Sequence, residues 1–152
     1  MFLLDLTKEL NNHKIPYALV GGHAVAIHGA VRGTMDVDLI LKWSLNILVK
    51  TEKVLEGMGL VPRLPISAQD VFNFKDEYIN NRNLIAWNFY NPVHPSQQVD
   101  IIITHDLSHL KAIKVKYQKT PISILSKKDL IQMKKDSGRP QDLFDVEALE
   151  KL

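Results

Sequence analysis

Cysteine is absent from this chain of 152 residues. That absence removes disulfide frameworks, zinc ribbons, thiol nucleophiles and iron–sulfur clusters together. A dominant charge is missing too: 19 Lys and Arg face 17 Asp and Glu, a net charge of +2. So small an excess argues against nucleic-acid binding by bulk electrostatics, and any phosphate partner must be gripped by a local site. No apolar run approaches the about 18 residues of a membrane span. The opening, MFLLDLTKELNNHK, sets Asp5 and Glu9 inside its apolar stretch. It lacks a basic leader, so it is not read as a signal peptide. A soluble, cytoplasmic protein without membrane contact is the expectation. With 45% hydrophobic residues, disorder is excluded. A chain this long buries about 68–70% of its unfolded surface as one unit, so residues 1–152 are expected to form one domain.

The apolar pattern places the elements. Phe2, Leu3, Leu6 and Leu10 recur at helical spacing and predict a helix ending near Asn11-Asn12. Tyr17 to Val20 reads as a buried strand broken by Gly21-Gly22, and Ala24 to His28 as a helix stopped by Gly29. Met35 to Leu41 alternates Asp36 and Asp38 with Val37 and Leu39, the period of a strand. Leu45 to Met58 reads as a long helix, and Pro62 and Pro65 bracket a loop. A helix over Val71 to Tyr78 precedes two strands, Leu84 to Tyr90 and Gln98 to Thr104, joined by Asn91-Pro-Val-His-Pro95. A short helix near Leu107–Ala112 and one strand, near Val115 or at Ile122–Leu125, follow. Ser126 caps a helix that ends at Gly138, and Pro140 starts the last, Gln141 to Leu152. Helices and strands thus alternate. The pattern implies an α/β (α+β) fold: a mixed sheet flanked by helices, with helices at the C-terminus.

Three features belong together. Gly21-Gly22 follows a strand and opens a helix, aiming backbone N–H groups at one point as a phosphate cradle does. A Gly-Gly pair alone is ordinarily a turn. Asp36 and Asp38, two apart on a strand, leave the same face. Two like charges there work against β-propensity, so they call for a reason. Asp100 interrupts the apolar run Val99 to Ile103, where a lone carboxylate is costly unless paired or metal-bound. Oxygen donors without His or Cys suit Mg²⁺ or Mn²⁺. A phosphate cradle facing such a cluster is the apparatus of phosphoryl or nucleotidyl transfer.

The stretch LVGGHAVAIHGAVRGTMDVDL, beginning at Leu19, resembles the signature of the polymerase-β-like nucleotidyltransferase superfamily. That signature is Gly-Gly or Gly-Ser after a hydrophobic residue, then Asp-x-Asp roughly 9–13 residues later. The His-Gly and Arg-x-Thr elements are similar to the branch near the abortive-infection AbiE-type toxins. The tail is similar too: Asp129 to Lys134, then Gly138-Arg-Pro-Gln-Asp142 and Asp145. The resemblance implies that Gly21 and Gly22 bind phosphate and that Asp36, Asp38 and Asp100 are the catalytic, metal-binding carboxylates. It further implies that Arg32, Thr34 and Lys134 touch the nucleotide. Residues 43 to 97 are largely unmatched. Larger relatives carry a helical domain for which this chain has little room, so a helical protein partner is an alternative expectation.

The remaining candidates read as structural. His28 is expected to be a packed histidine, and His105 and His109 surface ones. Trp87, Phe89 and Tyr90 read as strand core, and Arg139 with Asp142 as a pair bracing the turn between helices. Asp106, the competing third carboxylate, is expected to be free and exposed. The functional expectation is Mg²⁺-dependent transfer of a nucleoside monophosphate from a triphosphate such as ATP to a hydroxyl. The acceptor is left open among RNA, a protein side chain and a small molecule. A toxin–antitoxin setting is implied by the branch. The alternative is a nucleotide- or partner-binding module without turnover, an antitoxin or regulatory subunit of the same fold.

Overall fold

A computed structural model describes residues 1–30, 33 and 36–152 of the chain. The chain opens with α1 (Phe2–Asn12), whose Leu3, Leu6 and Leu10 are buried at the predicted spacing. Then come β1 (Tyr17–Val20), α2 (Gly21–Ile27), β2 (Val37–Leu41) and α3 (Leu45–Gly57). The next elements are β3 (Val61–Pro62), α4 (Ala68–Arg82), β4 (Ala86–Tyr90) and β5 (Gln98–Ile102). A single 3₁₀ turn at Leu107–His109 leads to β6 (Ala112–Tyr117), β7 (Thr120–Leu125), α5 (Lys127–Ser137) and α6 (Pro140–Glu150).

Seven strands form one mixed sheet in the order β3-β4-β5-β2-β1-β7-β6. The β2–β5 and β1–β7 pairs are parallel and the others antiparallel. Mixed pairing follows from the connections: parallel neighbours need long crossovers, whereas β4–β5 and β6–β7 are hairpins. One face of β2, β4 and β5 sends Val37, Leu39, Trp87, Phe89, Val99 and Ile101 into the core, all nearly without exposure. Every residue of β1 is buried, as a central strand covered on both faces requires. Among the described residues, no helix is long and apolar enough to cross a membrane.

The mixed α/β architecture is the one expected from the sequence, and four details differ. Pro62 lies in β3 rather than a loop, paired with Phe89 at the sheet edge. An edge tolerates a residue without a backbone N–H. The predicted helix at Val71–Tyr78 extends to Ala68–Arg82, opened by a Ser67–Asp70 capping box. It buries only Ala68 and Val71, so its apolar pattern is faint. Near residue 115 there are two strands rather than one. They join through Gln118 and Lys119, both at positive φ, the two-residue turn that matches strand twist. The short helix there is only the 3₁₀ turn.

Candidate active site

One rung of the sheet brings the acidic residues together. Val20 on β1 stands opposite Asp38 on β2, Asp38 opposite Asp100 on β5, and Asp100 opposite Asn88 on β4. Asp38 and Asp100 are therefore lateral neighbours on one sheet face, the side opposite Val37, Leu39, Val99 and Ile101. Both are half-buried, and with Asp36 they line a cavity of about 570 Å³. Gly21, Gly22, Lys134 and Arg139 also line it, so β1, α2, β2, β5 and the α5–α6 corner all contribute. A larger groove of about 730 Å³ runs between α1 and α3, away from every one of these residues.

Gly21 is fitted to Asp38. Its φ of +70° lies in the left-handed region, and a Cβ there would run into the Asp38 carboxylate. The strand-to-helix break thus lets the backbone pass directly beside the acidic pair. Gly22 is buried in the first turn of α2.

Crowding shows in the protonation of Asp38. Burial above all pushes its carboxyl up to about 7, and the charges of Asp100 and Asp36 push the same way. A hydrogen bond with Asp100 raises it further, while the Lys134 ammonium opposes. A proton between two carboxylates occupies the place where a cation would compensate the same repulsion. The all-oxygen pair Asp38 and Asp100 therefore fits Mg²⁺ or Mn²⁺. Among the described residues, no three His, Cys, Asp or Glu side chains are already arranged around one ion position.

Lys134 is only 7% exposed. Its Nζ lies 2.8 Å from Asp145 Oδ2 and 3.5 Å from Asp142 Oδ1. Arg139 clamps Asp142 through Nε at 2.8 Å and a second nitrogen at 3.2 Å. Burial would raise the Asp142 carboxyl, but hydrogen bonds from Arg139 and Ser137 hold it at about 2. The tail motif is thus an ion-pair cluster locking α6 onto α5. The bracing role expected of Arg139 and Asp142 is what the geometry shows. Lys134 reaches the cavity as a charge already shared with two carboxylates.

Arg32 and Thr34 lie outside the described residues. His28 is packed as expected, with Nε2 at 2.8 Å from the Leu125 carbonyl oxygen, and His109 is exposed. Tyr90 is only half-buried, under the Arg63 guanidinium, rather than core. Two further expectations are corrected. His105 is no plain surface residue: it lines the cavity, hydrogen-bonded to Thr104 Oγ1 at 2.9 Å. Burial pulls its pKa down, against Asp136. Asp106 is not free either, because its Oδ1 accepts from the backbone N–H groups of Trp43 at 3.0 Å and Ser108 at 2.9 Å. Burial opposes its ionisation, yet those bonds hold its pKa below the ordinary value. It caps the 3₁₀ turn, which removes it as a rival to Asp100.

Sequence reasoning missed Asn88, whose Nδ2 donates to Asp100 Oδ1 at 2.7 Å. Its partner became visible only with the β4–β5 register.

No family model matches the chain, and no curated protein matches it by sequence. Solved structures do. The lincosamide antibiotic adenylyltransferase LnuA, crystallised with lincomycin, superposes with a TM-score of 0.67 at 15% identity, over 98% of this chain and 94% of that one. The antibiotic-resistance factor ANT(2'')-Ia gives 0.64 at 11% identity, over 98% and 79%. An antigenic nucleotidyltransferase-like protein from Paracoccidioides brasiliensis gives 0.60 at 16% identity, over 96% and 72%. At such identities the likeness is one of architecture, and the chain has the nucleotidyltransferase fold.

Proposed function

We propose that this chain is a Mg²⁺- or Mn²⁺-dependent nucleotidyltransferase that moves a nucleoside monophosphate from a triphosphate to a hydroxyl acceptor. The observation that carries the reading is the register of Asp38 with Asp100 beside Gly21, on a cavity that Asp36 also lines. Asp36, Asp38 and Asp100 are the residues that would hold the metal. When bound, a divalent cation supplies charge neutralisation for the triphosphate and a lower pKa for the acceptor hydroxyl. The chain's own groups do the rest. The Gly21 and Gly22 backbone, which lines the cavity, is the proposed cradle for phosphate oxygens, with Arg32 and Thr34 assigned to the same task by resemblance. Lys134, on the wall of the same cavity, adds positive potential at Asp38 and is assigned to the nucleotide by resemblance. The acceptor oxygen attacks the α-phosphorus in line, the bond to pyrophosphate breaks, and Asp100 accepts the hydroxyl proton.

A small-molecule acceptor is the first to test, since LnuA is described with lincomycin bound and ANT(2'')-Ia with an adenylylated tobramycin. A narrower place beside the AbiE-type toxins, with RNA or protein as acceptor and a helical partner, rests on the sequence resemblance. The non-catalytic alternative draws on one observation: Lys134 is engaged by Asp142 and Asp145 within the fold. Incubation with each labelled nucleoside triphosphate, Mg²⁺ or Mn²⁺, and either antibiotics or cell extract tests the proposal. Label should reach an acceptor with the native chain and not with Asp38→Asn. Triphosphate binding without label in any arm would leave the binding module. Absence of both would refute the reading.

A further inference from the structure

We propose that Asn88 is a positioning residue for Asp100, itself set by Arg63, so that Asp100 offers one carboxylate oxygen to the cation site and keeps the other tied to the sheet. This inference rests on the transferase reading of the same cavity. Asn88 stands directly opposite Asp100 in the β4–β5 ladder, and its Nδ2 donates to Asp100 Oδ1 at 2.7 Å. Its Oδ1 accepts from Arg63 Nε at 2.9 Å. The amide is thereby oriented from both ends. Turning it over would set its oxygen against the carboxylate and its NH₂ against the guanidinium, two repulsive contacts in place of two attractive ones.

Arg63 is fixed in turn. Its guanidinium lies 4.5 Å from the centre of the Tyr90 ring, and its backbone N–H donates to the Asn88 carbonyl at 2.9 Å. The β3–β4 ladder, with Val61 opposite Tyr90 and Pro62 opposite Phe89, delivers Arg63 to that place. A line of contacts, Tyr90 to Arg63 to Asn88 to Asp100, therefore runs from the residue after β3 across β4 and β5 and ends at the acidic pair. The second torsion of an aspartate is broad and shallow, so an untethered carboxylate swings freely. Tethering one oxygen leaves the other to meet Asp38. Partners behind a metal-binding carboxylate typically change metal affinity 10–100-fold when removed.

Manganese titration of the full chain, read by electron paramagnetic resonance without nucleotide, tests the inference. Asn88→Leu keeps the size and removes all three side-chain hydrogen bonds, the third a 3.4 Å donation from Nδ2 to Gln98 Oε1. Arg63→Met, at an exposed position, keeps Asn88 but frees its amide, and so tests the line even if Asn88→Leu fails to fold. The expectation is an about tenfold weaker Mn²⁺ affinity for Asn88→Leu, a smaller loss for Arg63→Met, and a double variant no weaker than Asn88→Leu alone. Asp38→Asn, the reference, should abolish binding. Native affinity retained within about twofold in the single variants, with Asp38→Asn inactive in binding, overturns the role of Asn88 and leaves the transferase reading standing. A native chain that binds Mn²⁺ no better than Asp38→Asn overturns both.

Discussion

Replacing Asp38 by Asn should make the metal-free protein more stable at alkaline pH and little different in acid. The folded chain holds the Asp38 carboxyl up to about 7, against an ordinary value of 3.8. Folding therefore favours the protonated form, and this stabilisation is complete below pH 3.8 and lost as pH rises through 7. Full ionisation costs about 4 kcal/mol at about 1.36 kcal/mol per pH unit. Between about pH 5 and 8 the loss is about 3 kcal/mol. With an unfolding entropy of about 2.1 cal/mol/K per residue, Tm should fall by about 9 °C over that interval. Asp142, held at about 2, stays ionised throughout it. Histidine contributions are common to both proteins and cancel in the difference. Asparagine keeps the shape and an N–H for Asp100, so Asp38→Asn should lose this slope. Urea melts in chelator from pH 5 to 8 measure it, and added Mn²⁺ should restore stability to the native chain alone. A stability difference between the two proteins that stays constant across the range would refute the reasoning.

Lys134→Met should cost about 3–5 kcal/mol, because it removes the buried ammonium that pairs with Asp142 and Asp145. Unchanged denaturant midpoints with lost nucleotide binding would instead make the amine a phosphate ligand only. Gly21→Ala should cost about 2–4 kcal/mol from left-handed strain and collision with Asp38. Truncating Asp38 in the same chain should recover part of it, and an additive double variant would sink that account. Asp106→Ala should lose about 1–2 kcal/mol of capping while the Mn²⁺ response stays intact. Loss of that response would reinstate Asp106 as a metal ligand.

What the sequence made legible was periodic or punctuated. The stripe of Leu3, Leu6 and Leu10, the alternation of Asp38 with Val37 and Leu39, and the capping signals at Ser126 and Gly138 each have a local physical cause, whereas Asp36 lies exposed just ahead of β2 rather than on the expected strand. The candidate carboxylates on β2 and β5 stood out because carboxylates in apolar strands are costly. Contacts set by register stayed hidden. Nothing near Asn88 announces Asp100 as its partner, and nothing near Lys134 announces Asp142 and Asp145 as ion pairs. The β6–β7 hairpin escaped because Gln118 and Lys119 take up positive φ without the Gly or Asn that usually advertises such a turn. The ends of α4 escaped because a largely solvated helix has little apolar rhythm.

The parallel pairing of β1 with β7 has a consequence for synthesis. Leu19 meets Ile124 across the ladder, so the central strand lacks one neighbour until the last third of the chain has left the ribosome. At about 5–20 residues per second, the intervening hundred or so residues keep that edge open for roughly 5–20 s. An entirely apolar strand with an open edge is a template for pairing with other chains. Nascent chains stalled before β7 should therefore be the aggregation-prone species, and metal should not rescue them, since the Lys134 corner of the cavity has yet to be made.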